Sequence, residues 1–223
     1  MKIDILCTAP DHPVVPWLRR WMDETGRAGH VIALHHDRSS LSGGDVLFLI
    51  SCSQLIGEAV RGKYGEVLVL HASDLPAGRG WSPHIWAILG GAEQVTLSMI
   101  SAADPVDTGD IWAKTTFDVP RHALHHEINA ALFEAELALM SRALEMMEAG
   151  ERPVPQPPYV PGEGAAPPWW PRRTPADSAL DPQRPLAELF DQIRVADPER
   201  YPAFFTLHGR RFTLRIESAE TDD

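Results

Sequence analysis

Short apolar runs alternate with amphipathic stretches along the first 150 positions. KIDILCTA reads as a strand, HVIALHH as a second and EVLVLHAS as a fourth. The third, GDVLFLIS, is apolar without interruption, which predicts burial on both faces, as in a parallel sheet. VVPWLRRWMDET has the spacing of an amphipathic helix that starts near Asp11 and stops at Gly26, and GEAVRGKY predicts a short helical stretch. SPHIWAILGG reads as another helix, with Ser82 as N-cap, Pro83 in its first position and Gly90-Gly91 as its stop. QVTLSMI and IWAKTTFDV predict a strand pair. The longest helix runs from about His122 to Gly150, with Leu124, Ile128, Leu132, Leu139 and Met146 as a core stripe. This alternation predicts an α/β fold with a mostly parallel sheet.

The character changes after residue 150. ERPVPQPPYVPGEGAAPPWWP, residues 151–171, is rich in proline and glycine and predicts an extended connector. Its Trp169-Trp170 pair predicts docking, because paired indoles are costly to leave in water. PLAELFDQIRV then reads as a helix, YPAFFTLHG-RRFTLRIE as a hairpin turning at about Gly209, and ESAETDD as a frayed end. The expected organisation is a main domain at 1–150, a connector at 151–171, and a small helix-and-hairpin extension at 172–223 that packs on the main domain.

Composition narrows the class. Apolar residues make up 44% and charged residues 23% of the 223 positions, a soluble globular balance. The net charge is −11, and the cations are dispersed apart from Arg19-Arg20, Arg172-Arg173 and Arg210-Arg211. A tRNA-sized polyanion needs a basic patch, so no nucleic-acid partner is expected, whereas a small anion met by one or two arginines fits. Cys7 and Cys52 read as buried free thiols, too few for a disulfide framework. The apolar start is short and broken by Asp4, and no run reaches the length of a membrane span, so a cytoplasmic setting and no membrane partner are expected. His35-His36 and His125-His126 are adjacent pairs that point to different faces, which is not a metal-ligand pattern, and no metal is expected.

The chemistry centres on two loops. His71 ends the fourth strand in HASDLPAGRG, and Asp107 lies 36 positions later in DPVDTGDIW. Imidazole titrates near neutral pH and can accept or donate a proton. In this order and spacing, His71 to Asp110 resembles the formyltransferase family that uses N10-formyltetrahydrofolate. That family has an HPSLLP-type loop with a following Arg-Gly, an apolar helix and a DxGDI-type loop. LISCSQLIG resembles the family's SCGQILP-type segment. PRRTPADSALDP and LFDQIRVADPERYPAFF resemble the tail of its sugar N-formyltransferases.

The resemblance implies a Rossmann-like formyltransferase fold. Its N-terminal part is shortened, since CTAPDHPVVP replaces a GT-type loop and His71 comes early. It implies His71 as base and oxyanion partner, with Asp107 orienting it and helping to move the proton. Backbone around Ser51, Cys52, Gln54, Leu55 and Ile56, completed by Ala102 and Asp104, would hold the N10-formyltetrahydrofolate donor. Ser73, Arg79, Trp81, Arg172, Arg173, Asp177 and Arg194 are the implied substrate contacts. Trp81 reads equally as a stacking platform or as core, and the tail's Arg and Asp residues equally as clamps on the connector. Val69 stands where the family has an asparagine that helps hold the formyl oxygen. Loss of one such donor costs about 10²–10³ in rate. A backbone amide near Ser73 or a fixed water are the replacements open at this level.

The activity so implied is N-formyl transfer to the amine of an amino sugar, nucleotide-linked or of the nonulosonic-acid type. Methionyl-tRNA formylation and formyltetrahydrofolate hydrolysis are alternatives. A non-catalytic folate-binding or scaffold protein is the alternative of another class, on account of Val69. The resemblance and the aromatic tail are compatible with a homodimer.

Overall fold

The computed structural model describes residues 1–162 and 166–219. Part of the connector, 163–165, and the last four positions of the tail expected to fray, 220–223, lie outside the described residues. Strand β1 (Lys2–Leu6) runs parallel to β2 (Val31–His35) on one side and to β3 (Gly44–Leu49) on the other, and β4 (Tyr64–His71) adds parallel to β3. A two-residue strand, β5 (Arg79–Gly80), stands apart. β6 (Gln94–Ser101) and β7 (Ile111–Asp118) then join antiparallel, giving a six-stranded sheet of order β2-β1-β3-β4-β6-β7. The expected α/β class and mostly parallel sheet are what is found. Residues 36–43 link β2 to β3, and the helix between β3 and β4, α2 (Glu58–Arg61), is a single turn.

Helix α1 (Val15–Gly26) and the long α4 (His125–Glu148) cover one face of the sheet, and α3 (Pro83–Leu89) follows β5. β3 shows why its apolar run is unbroken. Val46 and Phe48 enter the core under α1 and α4, while Leu47 and Leu49 enter a second core with Ile56, Tyr64 and Val67. Trp21 meets Phe48 edge-on at 5.9 Å between ring centres, and its indole N–H donates to Ser141 of α4 (2.8 Å). Burying side chains of this size is worth about 1.5–3 kcal/mol each, so the pair ties both helices to the sheet.

One helix start differs from expectation, and another falls where expected but without a capping bond. Asp11 caps nothing: a turn closes through His12 N–H to Ala9 O and Val15 N–H to His12 O, and α1 begins at Val15 with Pro16 in its first turn. Proline is accommodated there because that N–H has no helical partner in any case. Ser82 does precede α3, but in the left-handed region (φ 47°), and its hydroxyl makes no capping bond.

After the connector, which contributes the short strand β8 (Trp169–Trp170), helix α5 (Leu186–Arg194) and the hairpin of β9 (Ala203–Leu207) and β10 (Arg210–Leu214) share a small core of Leu180, Leu189, Ile193 and Ala203. His208 and Gly209 both have positive φ (50° and 77°), the two-residue turn that matches strand twist. Arg194 is 2% exposed and ties this extension down: it donates to the carbonyls of Pro120 and Ala123 (3.1 Å each) and to Asp191 (2.6 Å). The substrate contact expected of Arg194 is therefore corrected, since its guanidinium is spent on backbone at the foot of α4.

Glu136 lies on the buried face of α4, 7% exposed, and its Oε2 has no partner among the described residues. Burial pushes its carboxyl up to about 8. The unfolded chain gives up this proton near 4.5, whereas the folded chain keeps it, so stability falls as pH rises from about 4.5 to about 8. Glu136→Gln should remove this slope. Its thermal midpoint is expected to gain on the parent progressively across that range, as followed by circular dichroism, and equal pH slopes would disprove the assignment.

Candidate active site

His71 ends β4 and is 7% exposed. Its Nε2 lies 2.9 Å from the carbonyl of Gly78, and its Nδ1 lies 3.6 Å from Asp107 Oδ1. Nε2 is thus within hydrogen-bond distance of an acceptor, whereas Nδ1 faces the Asp107 carboxylate at a longer, ion-pair separation. The loop that follows folds back because Ser98, fully buried and paired with His71 across β4 and β6, donates its hydroxyl to Ser73 O (2.7 Å). Ser73, expected among the substrate contacts, is itself buried and spends its hydroxyl on Ala77 O (2.9 Å), closing the same loop.

Asp107 is held in the left-handed region (φ 59°), a conformation that costs a non-glycine residue about 1–2 kcal/mol. Its Oδ2 accepts from Gly80 N–H at 2.9 Å. Two places beyond it, Gly109 crosses so close to β6 that a Cβ there would lie 1.7 Å from Ser101 O. No other residue type fits at 109 without moving the loop.

The connector stitches the two loops together. Val154 exchanges backbone hydrogen bonds with Ile111 (2.9 and 2.7 Å). The carbonyls of Pro167, Pro168 and Trp170 accept from the amides of Gly78, Arg79 and Trp81, making β8 a parallel partner of β5. Trp170 stacks on Trp86 of α3 at 5.5 Å, and the Trp86 indole donates to Pro171 O (3.1 Å). Of the tryptophan pair expected to dock, Trp170 does so and brings the connector to these loops, while Trp169 is 48% exposed. Gln156, which sequence reasoning missed, donates to the carbonyls of Asp107 (3.0 Å) and Gly109 (2.7 Å). A glutamine in a proline-rich stretch carries no signal of such a role.

Arg79 donates through Nη2 to Gln156 Oε1 (3.1 Å), and its buried Nε has no partner among the described residues. Trp81 is not core: it is 39% exposed, with the Arg172 guanidinium 4.7 Å over its ring. Arg173 lies 5.7 Å over Trp86 and donates to Asp177 O, while Asp177 accepts from the amide and hydroxyl of Thr174. Arg173 and Asp177 thus brace the connector, whereas Arg172 and Trp81 stand at its open edge. His84, also missed, sits at the start of α3 and is held neutral, down to about 4, by burial and then by His125, His71 and Arg173.

The two segments expected to hold the donor are side by side. Arg61 joins them, donating to Ile56 O (2.8 Å) and to the Asp104 carboxylate (2.5 Å). Ser51 has positive φ (48°), its carbonyl accepting from Thr8; Gln54 is tied to Asp37 and to the amide of Arg38. Ile56 is buried, and the Cys52 thiol, pushed up by burial, is no ready nucleophile. Leu55 (66% exposed) and Val106 (42%) are the apolar side chains these loops present. Val69 packs with Cys52 and Ala102 against the second core and offers no hydrogen bond.

Residues 35–144 match the model of the formyl transferase family, and the chain belongs to that family. A methionyl-tRNA formyltransferase of Symbiobacterium thermophilum is 28% identical over 176 residues, 78% of this chain and 51% of the relative. The chain thus spans about half the length of such relatives. Among solved structures, the methionyl-tRNA formyltransferase from Clostridium thermocellum superposes with a TM-score of 0.81 at 22% identity, covering 100% of this chain and 95% of that one. HypX from Aquifex aeolicus in complex with tetrahydrofolic acid gives 0.79 at 22%, covering 97% of this chain and 37% of that one. A sugar N-formyltransferase from a Shewanella species gives 0.71 at 12%, covering 100% and 99%. These identities establish the shared fold. Among the described residues, no helix is long and apolar enough to cross a membrane.

Gly109→Ala should break the loop geometry. A midpoint loss of about 2–4 °C per kcal/mol is expected for a chain of this size, from a clash costing about 2 kcal/mol or more. Gly26→Ala, whose new methyl meets nothing within 4 Å, is the control. Equal melting of both variants would overturn the close approach.

Proposed function

We propose that this protein transfers a formyl group from N10-formyltetrahydrofolate to the amine of an amino sugar, either nucleotide-linked or of the nonulosonic-acid type. The observation that carries the reading is the His71–Asp107 pair at 3.6 Å, its carboxylate fixed by Gly80 N–H. Acyl transfer to an amine needs a proton acceptor beside the reacting carbon, held in one orientation. As the amine attacks, its nitrogen bonds to the formyl carbon and the bond from that carbon to N10 breaks. His71, its Nε2–H donating to Gly78 O, takes the proton that leaves the amine on Nδ1 and passes it to N10 of the departing tetrahydrofolate, while Asp107 faces the charged ring.

The donor-side residues fit a flat heterocycle. Two loops tied by Arg61 lie side by side and present the apolar side chains of Leu55 and Val106. The donor itself supplies the activated formyl carbon. Its acceptance is supported by family membership and by the tetrahydrofolate held in the similar fold of HypX. Val69 leaves the oxyanion without the side-chain donor usual in the family, and a slow rate constant is expected.

The amino-sugar acceptor is supported by the net charge of −11, which opposes a long polyanion, and by Trp81 with Arg172 at the open edge of the site. Methionyl-tRNA is the second reading, favoured by the 28% identical relative. Calorimetric titration with 5-formyltetrahydrofolate, a stable form of the donor, should show micromolar-range binding. Turnover with a panel of amino sugars and with methionyl-tRNA then separates the acceptors, and release of formate without an acceptor would mark a hydrolase. His71→Ala should lower the rate by about 10²–10⁴-fold with an unchanged far-ultraviolet spectrum. No binding of the donor form by folded protein would sink the proposal and leave a scaffold.

A further inference from the structure

Asp107 would not stay where it is on its own account. Its left-handed backbone is unfavourable, and the proposed chemistry needs the carboxylate fixed on His71. The Gly80 amide holds one end, the side chain. The backbone on either side of Thr108 is held by Gln156, which donates one N–H to Asp107 O (3.0 Å) and the other to Gly109 O (2.7 Å). Its Oε1 accepts from Arg79 (3.1 Å), so donors face carbonyls and the acceptor faces a guanidinium. The reverse orientation of the amide would oppose oxygen to oxygen and nitrogen to nitrogen, so only one setting satisfies all three partners.

We propose that Gln156 is a positioning residue for the catalytic pair: it holds the Asp107 carboxylate against His71 while touching neither substrate. This rests on the formyl-transfer reading for its consequence, though not for its geometry. It also gives the connector a role in catalysis. Val154 fixes the connector's path beside Ile111, and Gln156, two residues on, hangs the Asp107 loop from it. Arg79 links that loop to β5, so the two halves of the site are held by one amide.

Gln156→Glu and Gln156→Leu separate the elements. Glutamate keeps the size and the Arg79 contact but opposes oxygen to the carbonyls of Asp107 and Gly109; leucine removes all three bonds. Gln183→Leu, on an exposed turn, is the control. The first readout is the nitrogen resonances of the His71 ring, which report its hydrogen-bond partners without any turnover. Both Gln156 variants should move the His71 signals and leave those of His30 in place. The second is kinetic: the rate constant kcat should fall about 10²-fold, as for a catalytic group displaced by about 1 Å, while the donor KM stays within about twofold. Unmoved His71 signals in either variant, with a native melting curve, would overturn the proposal, as would an unchanged kcat. Moved signals in a protein that formylates no acceptor would leave the positioning role standing and remove the formyl-transfer reading. Should leucine at 156 prevent folding, the glutamate variant decides.

Discussion

The left-handed turn at Asp107 is the constraint around which the site is organised. A carboxylate must reach a histidine that ends a different strand, and the chain must turn sharply to bring it there. The turn is unfavourable for aspartate, and it is followed by a glycine packed onto Ser101 with no space for a side chain. Strain of this kind persists only where the surroundings over-determine it. Here they do: the Gly80 amide, the Gln156 amide and the β6–β7 pairing each hold a separate part of the loop.

The proline-rich connector is better understood as part of the site than as a spacer. Proline lacks an N–H but keeps its carbonyl, so Pro167 and Pro168 can accept from the loop after His71 without leaving donors of their own unsatisfied. The stacked Trp86 and Trp170 rings anchor that contact. Exposed tryptophan and arginine at its outer edge, Trp81 and Arg172, then follow directly on the His71 loop and the connector.

Charge and substitution point to the same economy on the proposed acceptor side. The protein carries 31 acidic against 20 basic side chains, so binding is expected to rely on a few placed arginines and not on a field. Val69 makes the wall before His71 apolar where the family has an amide. Arg79 keeps a buried N–H without a partner among the described residues. Such a group costs stability unless something is paired with it, and it lies beside the proposed reaction centre.

Much of this was legible in the residues. Hydrophobic alternation located the sheet strands and long helices because burial imposes its own period on each element, and β3 could be recognised as doubly buried from its unbroken apolar run. His71 and Asp107 could be named because the order and spacing of their loops resemble those of the formyltransferase family. The start of α1 could not, since a turn through His12 moved it from Asp11 to Val15. Arg194 looked like a ligand contact and proved to be a tie to two carbonyls, because a guanidinium serves anions and backbone equally well. Gln156 left no mark at all in the sequence. Its role exists only because the connector returns across the sheet to lie beside Ile111, and contacts between positions so far apart are written in no local pattern. The sequence by itself determined the elements and the fold class and pointed to the proposed pair; the tertiary structure alone decided what holds those two residues together, because the hydrogen bonds that do so join segments that meet only after folding.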